Sequence, residues 1–190
     1  MELVRVKKTS ERNATTKVQA RALPLAQRVT DEIETALGTD WIPSIYRQRV
    51  LTERTRSHAL PVASSKLKAR VSVQHTLLGI ELKIGQRRVM CPDLATARYL
   101  SVFARAGCTN VVVPYNITKI SRLADDLETS WERMMLLADE HADTAHRSQI
   151  ARVKNALIAK ILDEVTSASR GKEALLDFNN LLTPKARTIL

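Results

Sequence analysis

Aromatic residues make up only 4% of this chain, so aliphatic side chains must fill most of any core. Glycine is equally sparse, at 5 in 190 residues. None of the glycines falls in a Gly-x-Gly-x-x-Gly run, a phosphate loop or a Gly-x-Ser-x-Gly elbow. A nucleotide-cradling loop has no place to form, and no cofactor is expected. The 2 cysteines, Cys91 and Cys108, lack the matching histidines of a zinc site and read as buried thiols. His141 and His146 lie near Asp139 and Asp143; the two aspartates have helical ligand spacing, but the two histidines, five residues apart, do not, and no metal is expected. His58 and His75 are isolated and read as structural. No stretch approaches the ~18 apolar residues of a membrane span. Residues 1–12 hold no apolar run suited to a signal peptide. A cytoplasmic protein with no membrane partner is the expectation. No internal repeat or low-complexity segment is visible.

What is present is a strong charge asymmetry. The net charge is +10, and about nine of those charges lie in residues 1–90. The density peaks in residues 41–90. Arg47, Arg49, Arg54, Arg56, Lys66, Lys68, Arg70, Lys83, Arg87 and Arg88 there face only Glu53 and Glu81. Such a basic segment is an electrostatic footprint for an anionic partner, most often nucleic acid. Hydrophobic residues at 44% and charged residues at 26% are ordinary for a folded domain with a real core.

Hydrophobic spacing predicts an α+β fold. Val4 and Val6 alternate with basic residues, as in a short edge strand. Leu25, Val29, Ile33 and Leu37 form a helical stripe between Pro24 and Gly38. Residues 48–60 show no clear period. From Lys66 to Gln74 the alternation is strict: Leu67, Ala69, Val71 and Val73 share one strand face, and Lys66, Lys68, Arg70, Ser72 and Gln74 share the other. Ile80, Leu82 and Ile84 alternate next, and Gly85-Gln86 turns the chain into Arg87–Met90. Pro92-Asp93 opens a helix that Gly107 ends. Asn110–Pro114 reads as an apolar strand inside the sheet. A helix capped by Asn116 carries the stripe Ile117, Ile120, Leu123, Leu127, Trp131, Met134 and Ala138. After a break near residues 139–146, Ile150, Val153, Leu157, Ile161 and Val165 form the next stripe, with Gly171 as its cap. A short helix is expected over 173–182. A small, mainly antiparallel sheet thus occupies residues 1–115 and a helical portion residues 116–190, the two sharing one core. Two long stripes could leave apolar surface for a homo-oligomer.

Lys66, Lys68 and Arg70 lie about 7 Å apart on one strand face, a spacing comparable to that of successive phosphates along a nucleic-acid strand. Lys83 and either Arg87 or Arg88 extend this patch on neighbouring strands, and Arg47 and Arg49 add to the basic set. Trp41 or Tyr46, if exposed, could stack on an unpaired base, though a chain so poor in aromatics tends to bury them. Asp125, Asp126, Glu128, Glu132, Asp139, Glu140 and Asp143 form an acidic stretch relieved only by Arg133. It could fold against the basic face, bind a second copy, or remain solvated.

Glu81-Leu82-Lys83 on a central strand resembles the signature of the PD-(D/E)xK nuclease superfamily, as does the order of elements over residues 24–114. The resemblance implies a divalent metal on Glu81 and a lysine, Lys83, that positions the attacking water. The family also carries an acid on the preceding strand. Lys66–Gln74 has none, and the extra strand Arg87–Met90 intrudes before the helix. Three functions therefore stand open. The first is non-catalytic binding of DNA or RNA through Arg47, Arg49, Lys66, Lys68, Arg70, Lys83, Arg87 and Arg88. The second is a metal-dependent nuclease centred on Glu81 and Lys83. The third is an adaptor that joins protein partners through opposed basic and acidic faces.

Overall fold

Val29, Ile33 and Leu37 recur every fourth residue and are buried along α1, Leu25–Leu37. The structure, a computed structural model, describes residues 25–62, 70–141 and 147–173. Val4, Val6, Pro24, Lys66, Lys68, Asp143, His146 and the helix expected over 173–182 beyond Glu173 lie outside the described residues. Gly38 takes φ 54°, a left-handed conformation that glycine adopts without strain, and leads into a 3₁₀ turn over Gly38–Asp40. Two short helical segments follow, α2 (Ile42–Ile45) and a π turn (Tyr46–Val50). They bury Trp41, Ile42, Ile45, Tyr46 and Val50.

The strands form two separate antiparallel ladders. β1 (Thr55–Ala59) pairs with β5 (Asn110–Pro114), with Thr55 opposite Pro114 and Ala59 opposite Asn110. β2 (Val71–Thr76), β3 (Gly79–Ile84) and β4 (Arg87–Cys91) form a three-stranded meander. Gly85, at φ 61°, makes the β3–β4 turn, and its N–H donates to the Arg70 carbonyl at 2.9 Å. Val73, Leu82 and Val89 lie in register across the meander and face α3.

α3 (Leu94–Arg105) begins at Asp93, whose carboxylate accepts from the Thr96 N–H at 2.7 Å and the Thr96 hydroxyl at 2.9 Å. This helix is buried on nearly every side. Ala97, Leu100 and Phe103 pack in the core, but so do Tyr99 and Val102 from the rest of its circumference. α4 (Ile117–Glu140) is capped by Asn116, whose side-chain oxygen accepts from the N–H groups of Thr118 at 3.0 Å and Lys119 at 3.3 Å. α5 (Arg147–Glu173) runs through Gly171, which does not cap it. One interior glycine costs a helix about 1 kcal/mol, a small charge on an element anchored by Val153, Leu157, Ile161 and Val165.

The protein is thus α+β, with small antiparallel ladders in its N-terminal part and long helices after them. Asn110–Pro114 does not enter the three-stranded sheet, as its apolarity suggested. Among the described residues it pairs only with β1, and α3, α4 and α5 also pack against it. Buried residues from α1 through α5 belong to one cluster. At its centre, the Phe103 ring lies 5.3 Å from Tyr46 and 5.1 Å from Tyr99. The Tyr99 hydroxyl donates to the Val112 carbonyl at 2.8 Å, and the Val112 N–H donates to the Tyr46 oxygen at 3.2 Å. Tyr46 and Ser169 share a hydroxyl hydrogen bond of 2.8 Å, joining the π turn to α5. Val153, Leu157, Ile161 and Val165, the stripe considered for an oligomer, are spent on this intramolecular core. No helix among the described residues is long and apolar enough to cross a membrane. Cys91 and Cys108 are free and buried. Burial raises the Cys91 thiol above its ordinary range and pushes Cys108 up to about 12, so both stay protonated at neutral pH.

Candidate nucleic-acid interface

Strand alternation sorts the basic residues of the meander. Val71, Val73, Leu82, Ile84 and Val89 turn toward the core, so Ser72, Gln74, Glu81, Lys83, Arg88 and Met90 turn outward. Arg70, two residues before Ser72, lies on that same outer side and is exposed. Lys83 is directly opposite Arg88 in the β3–β4 register, and Ser72 is directly opposite Lys83. Among the described residues Glu81 is the one carboxylate on this face. It is only 5% exposed. Arg88 donates to it at 3.3 Å and the Thr76 hydroxyl lies at 3.4 Å. Its cross-strand neighbours are Gln74 and Met90, so no second acid stands beside it on the face.

The remaining expected cations are placed elsewhere. Arg87 pairs with Ile84 and therefore projects on the opposite face of the meander from Lys83 and Arg88. Arg47 and Arg49 belong to the π turn and reach the helices. Arg47 bonds Glu164 of α5 at 2.8 Å, and Arg49 bonds Asp126 of α4 at 2.6 Å. Lys66 and Lys68 lie outside the described residues. The structure thus brings Arg70, Lys83 and Arg88 together and separates them from Arg47, Arg49 and Arg87.

The acidic stretch of α4 is largely engaged inside the chain. Arg98 of α3 meets Asp125 at 2.8 Å and Glu128 at 2.6 Å. Asp126 takes Arg49, and Asp139 takes Lys154 at 2.6 Å. These acids fasten α4 to α3, α5 and the π turn rather than cover the meander. Among the described residues, no group of three or more His, Cys, Asp and Glu side chains is placed to hold a metal ion.

A second basic surface was not legible in the sequence. Trp41 and Tyr46, considered as base-stacking residues, are fully buried. Among the described residues the exposed aromatic is Tyr115, at 56% exposure. Its N–H donates to the Arg54 carbonyl at 3.1 Å, which extends the β1–β5 ladder by one residue. Arg54 and, two residues along, Arg56 therefore share a strand face beside the ring. Their guanidinium carbons lie 5.3 Å and 5.9 Å from its centroid. His58 is next in the same alternation. Burial, and then the nearby Arg56 charge, lower its pKa, so it adds no positive charge here at neutral pH. An open groove of about 300 Å³ is lined by Arg49, Glu53, Lys119 and Arg122. Lys119 bonds Glu53 across it at 2.5 Å. No protein-family model, curated protein or solved structure matches this chain.

Proposed function

We propose that the protein binds nucleic acid without catalysis, using the outer face of the β2–β4 meander to contact phosphates. One observation carries this reading: Lys83 and Arg88 stand directly opposite each other, with Arg70 on the same face and a single carboxylate among them. Like charges directly opposite on a sheet repel and destabilise it. Glu81 relieves part of that repulsion through Arg88, and a phosphate backbone laid across the face would relieve the rest. Contacts of this kind give affinity and orientation and carry little sequence information.

Binding of a labelled duplex is accordingly expected to be salt-sensitive and weakly selective. With about four to six phosphates contacted, log K falls against log salt with a slope of roughly −4 to −5. A slope near zero, or no binding at low salt, removes this reading.

Glu81 and Lys83 share the outer face, which keeps a metal-dependent nuclease in view as the alternative. Such a site needs further carboxylates to hold the ion, and the neighbours of Glu81 are Gln74, Met90, Thr76 and Arg88. The expected result is that the wild type cleaves nothing in magnesium or manganese. Glu81→Gln then shifts duplex affinity only a few-fold, toward tighter binding, because one negative charge leaves the face. Wild-type cleavage that disappears in Glu81→Gln would establish the nuclease instead.

A further inference from the structure

We infer that Tyr115, with Arg54 and Arg56, forms a stacking site for an unpaired base, so that the β1–β5 end of the protein takes single-stranded nucleic acid. Stacking here presupposes the nucleic-acid reading but uses a surface other than the meander face. The first observation is exposure. In a chain that buries Trp41, Tyr46, Tyr99 and Phe103 completely, Tyr115 presents 56% of its surface to solvent. An exposed ring gains little from its own fold. It gains about 1–3 kcal/mol when a base stacks on it.

The second observation is the company the ring keeps. Arg54 and Arg56 both approach it, and neither makes an ion pair among the described residues. Both guanidinium groups lie over the ring, 5.3 Å and 5.9 Å from its centroid, within cation–π reach, so an incoming base takes the ring face by displacing a guanidinium toward its phosphate. Two convergent guanidinium groups beside a ring match one nucleotide unit: a base on the ring and a phosphate on either side.

The third observation is a groove whose lining includes Glu53, the residue before Arg54, and Lys119, four residues after Tyr115. Lys119 and Arg122 lie one turn apart or less on the first part of α4, and Arg49 faces them from the π turn. Arg122, like Arg54 and Arg56, has no ion pair among the described residues. Arg49 is paired with Asp126 and Lys119 with Glu53, so Arg122 is the cation without an ion pair among the described residues that this groove offers to the next phosphate. A paired base keeps both faces inside the duplex stack and offers none to the ring, which is why single strands are the expected ligand.

The test compares a labelled oligo-dT of about 20 nucleotides with a duplex of the same length, a size that exceeds typical single-strand sites. Tyr115→Ala is expected to weaken single-strand binding by roughly 5- to 150-fold and to change duplex binding less than about twofold. Tyr115→Phe is expected to restore single-strand binding, because it keeps the ring. An unchanged melting temperature for both variants confirms that an exposed side chain was removed without unfolding. If Tyr115→Ala leaves single-strand affinity intact, or lowers duplex and single-strand affinity equally, the stacking site is overturned while nucleic-acid binding stands. If the wild type binds neither probe, both readings fall.

Discussion

Replacing Arg70, Lys83 and Arg88 together by glutamine lowers duplex affinity by roughly 10²- to 10³-fold at 0.1 M salt. Each phosphate contact contributes about −0.9 to the slope of log K against log salt, so three lost contacts remove about 2.7. Carried from 1 M to 0.1 M salt, that difference is close to 500-fold, by about the same principle of counterion release. The loss must therefore shrink as salt rises and nearly vanish at 1 M. Arg88 calls for a control, because it bonds Glu81, whose side chain is 7% exposed. Removing Arg88 alone strips a buried carboxylate of its cation and costs stability. The double variant Arg70→Gln/Lys83→Gln leaves that pair in place. It should still lose about 60-fold in affinity and about 1.8 in slope, with stability within about 1 kcal/mol of wild type. A loss of affinity that is the same at 0.1 M and 1 M salt would show that these residues do not contact phosphates.

The local elements were legible because their signals are local. Ile80, Leu82 and Ile84 alternate without interruption, and Gly85 supplies the left-handed turn that the hairpin requires. Asp93 and Asn116 announce α3 and α4 with side-chain caps. What escaped the sequence depends on pairing across long separations. β1 reads as a charged, aperiodic stretch, Thr-Arg-Ser-His-Ala, and becomes a strand only because β5, some fifty residues later, offers it an antiparallel edge. Tertiary context overrides propensity there.

The same pairing decides the candidate sites. Tyr115 stands alone between a strand and a helix in the sequence, and nothing local links it to Arg54 and Arg56; the β1–β5 register does. Arg47 and Arg49 look like part of a basic run, yet the π turn directs them to Glu164 and Asp126, acids far along the chain. Net charge in a window identified a partner class. It did not say which cations share a face, because strand alternation splits even neighbours: Arg87 and Arg88 project on opposite sides of β4.

Phe103→Ala is expected to cost about 3–5 kcal/mol, the usual loss for truncating a fully buried phenylalanine. Phe103 is 0% exposed and contacts the rings of both Tyr46 and Tyr99. Those tyrosines hold β5 through Val112, and Tyr46 also holds α5 through Ser169. A cavity at this point therefore loosens the N-terminal strands and the C-terminal helices at once. For a domain stabilised by about 5–15 kcal/mol, the loss is about a fifth or more of the total. The decisive measurement is a thermal melt followed by two probes, tryptophan fluorescence and far-ultraviolet circular dichroism. Fluorescence reports on Trp41, buried beside the π turn, and on Trp131 of α4; dichroism reports mostly on the long helices. If residues 1–115 and 116–190 share one core, both probes give a single transition in the wild type, and Phe103→Ala moves them down together. Two transitions, with only one displaced by the substitution, would divide the chain into independently folding halves. The Tyr46–Ser169 and Arg47–Glu164 bonds would then be contacts between domains rather than parts of one interior.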